Sequence, residues 1–321
     1  MTIAKPLKRT KKQPVKKAAV PKAAQPAKKA AQTATALAAT PATPVVKLPN
    51  VFRLTRESIG LILSARKVVF VVLAFYIILQ LLLASGLTAS LDISALKDLL
   101  KESFTDSTIL TGVTLYGVLL TTLGKSPSDV ASIYQSIFFV LFSLFFIYVL
   151  RQAHAGQKVS MADVFYKACA PLIQFLLVFG MIVIHLLPMI AATFIYGATI
   201  ASGIAVTLLE KVLWGSLVAG LTVWSLYLLA ASVMALYIVT LPDMRPLRAL
   251  RSAKQLVRGR RWLVLRKLLF LPVFFLLAMA VIIVPTIILA ASLTTVVFFL
   301  LVSLLLPLGH SYIFTLYRKL L

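Results

Sequence analysis

Residues 268–317 read LLFLPVFFLLAMAVIIVPTIILAASLTTVVFFLLVSLLLPLGHSYIFTLY, with no Asp, Glu, Lys or Arg between Lys267 and Arg318. A helix that crosses the hydrocarbon of a bilayer needs about 20 apolar residues. This run supplies two in succession, with Ala291-Ser292 at the turn between them. No aqueous fold of this size has a core able to cover it, so the chain reads as an integral membrane protein.

Working outward, the remaining apolar stretches place spans at about 68–86, 131–150, 171–195, 212–241, 268–290 and 294–316. The expected fold class is all-α. It is a polytopic helical membrane bundle of about six transmembrane helices over 51–321, with a disordered basic tail over 1–50. Composition agrees, at 60% hydrophobic residues and a mean hydropathy of +0.98.

The net charge of +24 would suit a nucleic-acid binder if it were spread over a soluble fold. Instead, residues 1–67 hold 15 of the 33 Lys and Arg, and Pro242–Lys267 hold nine more. Residues 1–47 carry 11 basic residues, no acidic one, and prolines at Pro6, Pro14, Pro21, Pro26, Pro41 and Pro44. Such a segment buries too little apolar surface to offset its ordering entropy. It lacks the short apolar core of a secretory signal. Its composition fits a polyanion-binding tail, for nucleic acid or a ribosome, as well as a solvated arm drawn to lipid.

Six spans put both termini on one side. With the N-terminus inside, the inner segments hold 29 Lys and Arg and the outer segments hold 4. The positive-inside rule therefore predicts cytoplasmic termini in a cell membrane, read here as a prokaryotic inner membrane. Asp92, Asp98, Glu102, Asp106, Asp129 and Glu210 fall outside. Ile109–Leu123 and Tyr196–Leu209 are apolar but short or Gly-interrupted, and read as interfacial or re-entrant helices.

The segment 243–267, DMRPLRALRSAKQLVRGRRWLVLRK, carries the local chemistry. Arg245, Arg248, Arg251, Lys254, Arg258 and Arg261 recur at helical spacing, and Leu247, Leu250, Ala253 and Val257 follow on a neighbouring face. Gly259 interrupts, Arg260 adds charge, and Trp262 suits interfacial depth. The expectation is a basic amphipathic helix on the inner face. Arg245, Arg248, Arg251, Lys254, Arg258, Arg260, Arg261 and Trp262 then contact anionic lipid head groups. The plainer reading, compatible with this one, is that these residues set topology. A second such lead spans 52–67 with Arg53, Arg56, Arg66 and Lys67, and a shorter one spans 160–170. The pattern of inner helix, span, outer turn and span thus recurs three times, in pattern rather than in identity.

Pro242, Ala249-Leu250, Ser252, Leu256, Gly259 and Trp262, followed by a Leu/Phe-rich span, resemble a prokaryotic group of six-span proteins. That group includes the membrane domain of some glycerophosphoryl diester phosphodiesterases and the YciC-like inner-membrane proteins. The resemblance covers about 100 residues from the fourth span onward. It implies architecture only, because the soluble catalytic barrel of those phosphodiesterases has no counterpart here.

Polar residues inside the spans are few: Gln80, Gln174, His185 and His310. Gln174 and His185 are the candidate intramembrane polar sites. His185 precedes Pro188 by three residues near mid-membrane, where a packing hydrogen bond or an ion site is the choice. His310 and Tyr312 read as interfacial anchors. The lone Cys169 reads as a packing residue. No catalytic motif, metal-ligand spacing or cofactor loop is present, so the expectation is no enzyme, no metal and no cofactor. Two functions compete: a non-enzymatic membrane protein contacting anionic lipids and partner proteins at the inner face, and a small-solute or lipid transporter. An intramembrane enzyme comes third. Oligomeric state leaves no mark in the sequence.

Overall fold

A computed structural model describes residues 48–83, 129–157, 159–242 and 244–321. The expectations for the tail over 1–47 and for Ile109–Leu123 lie outside those residues. Among the described residues there are nine α-helices and no strand. They are α1 (Val51–Ser64), α2 (Arg66–Leu83), α3 (Asp129–His154), α4 (Met161–Cys169), α5 (Leu172–Ala201), α6 (Leu208–Val239), α7 (Pro246–Leu256), α8 (Arg261–Leu289) and α9 (Thr294–Leu320). Six of them, α2, α3, α5, α6, α8 and α9, are long and apolar enough to cross a membrane. At 1.5 Å per residue they run about 27 to 48 Å, against a hydrocarbon core of about 30 Å. The chain is an all-α, multi-pass integral membrane protein.

Two sequence boundaries move. Tyr196–Leu209 is not a separate interfacial or re-entrant helix. α5 continues to Ala201, Gly203 turns the chain at φ 71°, and α6 starts at Leu208. Thr207 starts α6 with a capping box: its hydroxyl accepts the Glu210 amide at 3.3 Å, and the Glu210 carboxylate accepts the Thr207 amide at 3.0 Å. The fifth span starts at Arg261 rather than at 268, so the first two turns of α8 carry Arg266 and Lys267.

The helices follow the order short, long, long, three times over: α1–α2–α3, α4–α5–α6 and α7–α8–α9. Each short helix packs on the last long helix of the unit before it. α4 lies on α3, α7 on α6, and α1 closes the circuit on α9. The first and third units also match in register. Arg53 corresponds to Arg248, Arg56 to Arg251 and Arg66 to Arg261, each 195 residues apart, and seven of the 25 positions from Val51 to Phe75 are identical to their counterparts. Burial follows the same register: Leu54, Ser58 and Val69 are buried, as are Ala249, Ala253 and Val264.

The third members α3, α6 and α9 meet in the core, around Leu144, Ile147, Met234, Tyr237, Tyr312 and Leu316. Their polar groups satisfy one another there. The Ser143 hydroxyl donates to the Phe139 carbonyl at 2.6 Å, and His310 Nε2 lies 2.9 Å from the same hydroxyl. His310 Nδ1 lies 3.0 Å from the Tyr237 hydroxyl. With Ser143 donating backwards, the ring donates from Nε2 and accepts from Tyr237 at Nδ1. Arg151 of α3 donates through Nη1 to the Thr240 carbonyl at 2.6 Å and through Nη2 to the Tyr237 carbonyl at 3.3 Å and the Thr240 hydroxyl. It therefore caps the carbonyl end of α6, where a cation is favoured. His310 and Tyr312 are thus core groups rather than interfacial anchors. Tyr312 is 1% exposed and donates to the Lys267 carbonyl at 3.0 Å.

Tyr237→Phe removes the donor to His310 and leaves a ring nitrogen without a partner. The expected loss is about 1–3 kcal/mol, seen as a lower thermal midpoint of the detergent-solubilised protein, whereas Tyr134→Phe, at an exposed position on α3, leaves the midpoint unchanged.

Candidate lipid-headgroup face

Pro246 opens α7, where its fixed φ suits the first helical turn. Ala249, Ala253 and Val257 are all 0% exposed and lie one turn apart. This strip of small side chains lets α7 approach α6 and α5 closely. Leu247, expected on the apolar face, is instead 65% exposed. The alanine edge takes its place because a leucine there would hold the helices apart. The opposite side presents Arg248, Arg251, Lys254 and Arg258, all exposed, with exposed Arg245 at the helix start.

The basic residues do not form one helix. α7 ends at Leu256, and Gly259 at φ 75° reverses the chain in the left-handed region that side chains disfavour. Arg258 and Arg260 belong to that turn, and Arg261 and Trp262 begin α8. The Arg261 guanidinium sits 4.8 Å above the Tyr227 ring of α6, and Trp262, 62% exposed, lies 6.2 Å from that ring. A cation and two aromatic rings with polar edges form an arrangement suited to interfacial depth.

Among the described residues the ion pairs are Arg53–Glu57, Lys167–Asp163 and Lys319–Glu57. None involves the basic residues of α7 or of the turn that follows it. Their charges face outward with no carboxylate of a described residue paired to them.

His185 and Gln174 stand apart from this face. The His185 Nδ1 lies 2.7 Å from the Ser232 hydroxyl, and its carbonyl accepts Ser225 at 2.5 Å. Pro188 has no amide for the Ile184 carbonyl, next to the His185 carbonyl that accepts Ser225. The ring thus joins α5 to α6. The Gln174 Oε1 is buried with no hydrogen-bond partner among the described residues.

Sequence reasoning missed two cations, Arg151 and Lys267. Both read as topology determinants, and only packing shows that Arg151 caps α6 and that Lys267 is 5% exposed. Among the described residues no three His, Cys, Asp or Glu side chains come together as metal ligands. Burial raises the Cys169 thiol above its ordinary value, away from the reactive thiolate. The open groove beside Leu217, Gly220 and Trp224 belongs to one face of α6, and its Ser216 hydroxyl is bonded within that helix. Comparison with family models, with curated proteins and with solved structures finds no match to this chain.

Glu57 is the carboxylate that approaches the basic residues at the α1–α9 junction. Its hydrogen bond to Lys319 at 2.9 Å, with Arg53 at 3.1 Å, holds its carboxyl below the ordinary value. A depressed carboxyl adds stability that is present above the unfolded pKa of about 4.3 and is lost as pH falls through the lower folded value. The pair is partly solvated, so the effect is small. Between pH 5 and 3 the thermal midpoint of Glu57→Gln should fall less steeply than that of the wild type.

Proposed function

We propose that this protein is a non-enzymatic membrane component whose α7 face engages anionic lipid head groups at the cytoplasmic surface of a cell membrane. One observation carries the reading: Arg248, Arg251 and Lys254 are exposed on a helix whose other side is docked on the bundle, and exposed Arg258 follows in the turn after it. A rigidly mounted row of cations loses little entropy on meeting a charged surface. Each cation near an anionic leaflet contributes about 1 kcal/mol, falling off within a Debye length. Trp262 and Arg261 against Tyr227 set the depth of that face. The distribution of Lys and Arg, 29 against 4, supports cytoplasmic termini. Kinship with the six-span membrane domains named above rests on Pro242, Ala249, Leu250, Ser252, Leu256, Gly259 and Trp262, and brings no catalytic residue with it.

The threefold order of short and long helices favours a second reading, a lipid or small-solute transporter built from repeats. Movement of labelled phospholipid between the leaflets of proteoliposomes, absent from protein-free vesicles, would favour it.

The lipid reading is tested with Arg248→Gln/Arg251→Gln/Lys254→Gln in the full-length protein. Its affinity for phosphatidylglycerol should fall about tenfold or more, and wild-type binding should weaken with salt. Equal wild-type binding to phosphatidylglycerol and phosphatidylcholine would refute it. Orientation is tested separately. A cysteine at Arg251, in a Cys169→Ser background, should resist impermeant maleimide in intact cells and react after permeabilisation.

A further inference from the structure

Lys267 is the buried cation that the α7 face does not use. It is 5% exposed, on the second turn of α8, where the chain entering α1 crosses it. Its ammonium donates to the Pro49 carbonyl at 2.5 Å. An ammonium carries three donors, and the other two have no acceptor among the described residues. No carboxylate of a described residue pairs with it, and Arg266 beside it adds a like charge. A single neutral carbonyl does not offset the several kcal/mol of removing an ammonium from water.

The first turn of α1 has no acidic residue, and Asn50 gives no side-chain cap, so the Val51, Phe52 and Arg53 amides add a positive helix end beside Lys267. Arg266 beside it is exposed, while Arg53 at the start of α1 is paired with Glu57. The seam also has an apolar wall. Phe52 packs edge-on against Phe270 at 5.9 Å yet remains 77% exposed, and Leu269 and Val273 of α8 face outward. Buried positive charge next to an exposed apolar wall suits an amphiphile and not a free anion.

We propose that the seam between the start of α1 and the first turns of α8 is a second site for an anionic phospholipid. Its phosphate lies over Arg266 and the amides of α1, in the field of the Lys267 ammonium buried beneath them, and its acyl chains lie along Phe52, Phe270 and Val273. The proposal rests on the lipid reading of the preceding subsection, but on separate residues. It also follows the repeat, since α1 stands to α9 as α7 stands to α6.

Delipidated full-length protein in detergent is titrated with phosphatidylglycerol or phosphatidylcholine, and bound lipids are counted by native mass spectrometry. The wild type is expected to retain two phosphatidylglycerols above the phosphatidylcholine background. Lys267→Met, of similar length and without charge, should lose one. The Arg248→Gln/Arg251→Gln/Lys254→Gln variant should lose the other. Arg266→Gln, at an exposed position, should weaken the seam lipid about fivefold. A Lys267→Met protein with wild-type helicity and an unchanged lipid count overturns the proposal. If Lys267→Met does not fold, unchanged lipid binding by Arg266→Gln overturns it. Loss in Lys267→Met with no loss in the α7 variant supports the seam and removes only the α7 face.

Discussion

Ser143, His310 and Tyr237 meet where α3, α9 and α6 converge, and each completes the hydrogen bonding of the next. In a lipid-embedded bundle a polar group has no water to turn to, and an unpaired one costs several kcal/mol. Apolar side chains exert little pull between helices in lipid, because acyl chains are as apolar as leucine. Relative helix positions therefore depend on the few polar contacts with one satisfying geometry. This contact joins the third member of each repeat. The short helices are mounted on those same three members, so the placement of α1, α4 and α7 follows from it. Arg151 reinforces the junction by binding the carbonyl end of α6, which ties α3 to the point where the chain turns toward α7.

Much of this architecture could be read from the residues. The uncharged run after Lys267 gave two helices, and the turn at Ala291 falls where a short 3-10 element joins α8 to α9. The remaining span positions followed from length and hydropathy, because the hydrocarbon thickness fixes both. The threefold order of elements was visible as pattern. Its register was not, because lipid-facing positions accept any apolar residue and erase identity everywhere except at Arg53, Arg56, Arg66 and a few others.

The candidate site was less legible, for a physical reason. Periodicity shows which residues share a face but not which face docks. On α7 Ala253 and Val257 are buried as their period suggests, but Ala249 joins them and Leu247 stays exposed, because close helix approach rewards small side chains over large ones. Likewise a lysine at the edge of an apolar run reads as a snorkelling end group. Only the crossing of Pro49 over α8 turns Lys267 into a buried cation. Such long-range contacts, between residues more than two hundred positions apart, have no local signature.

The charge inventory shapes how these cations are accommodated. With 33 Lys and Arg against 9 Asp and Glu, the chain cannot neutralise itself through ion pairs. The less exposed cations use other partners: Arg151 a helix end, Lys267 a single carbonyl, Arg261 an aromatic face. Each of these is neutral and leaves a whole positive charge in the field of its neighbours. Along α7 the described residues provide no such partner, and Arg248, Arg251 and Lys254 stand exposed at successive turns of one helix face. Mutual repulsion of that kind destabilises the compact state until counter-charge arrives. A surface of anionic head groups supplies that charge at fixed height and high density. Stability and lipid contact then become linked quantities, because any anion that binds only the folded protein stabilises it in proportion to its occupancy.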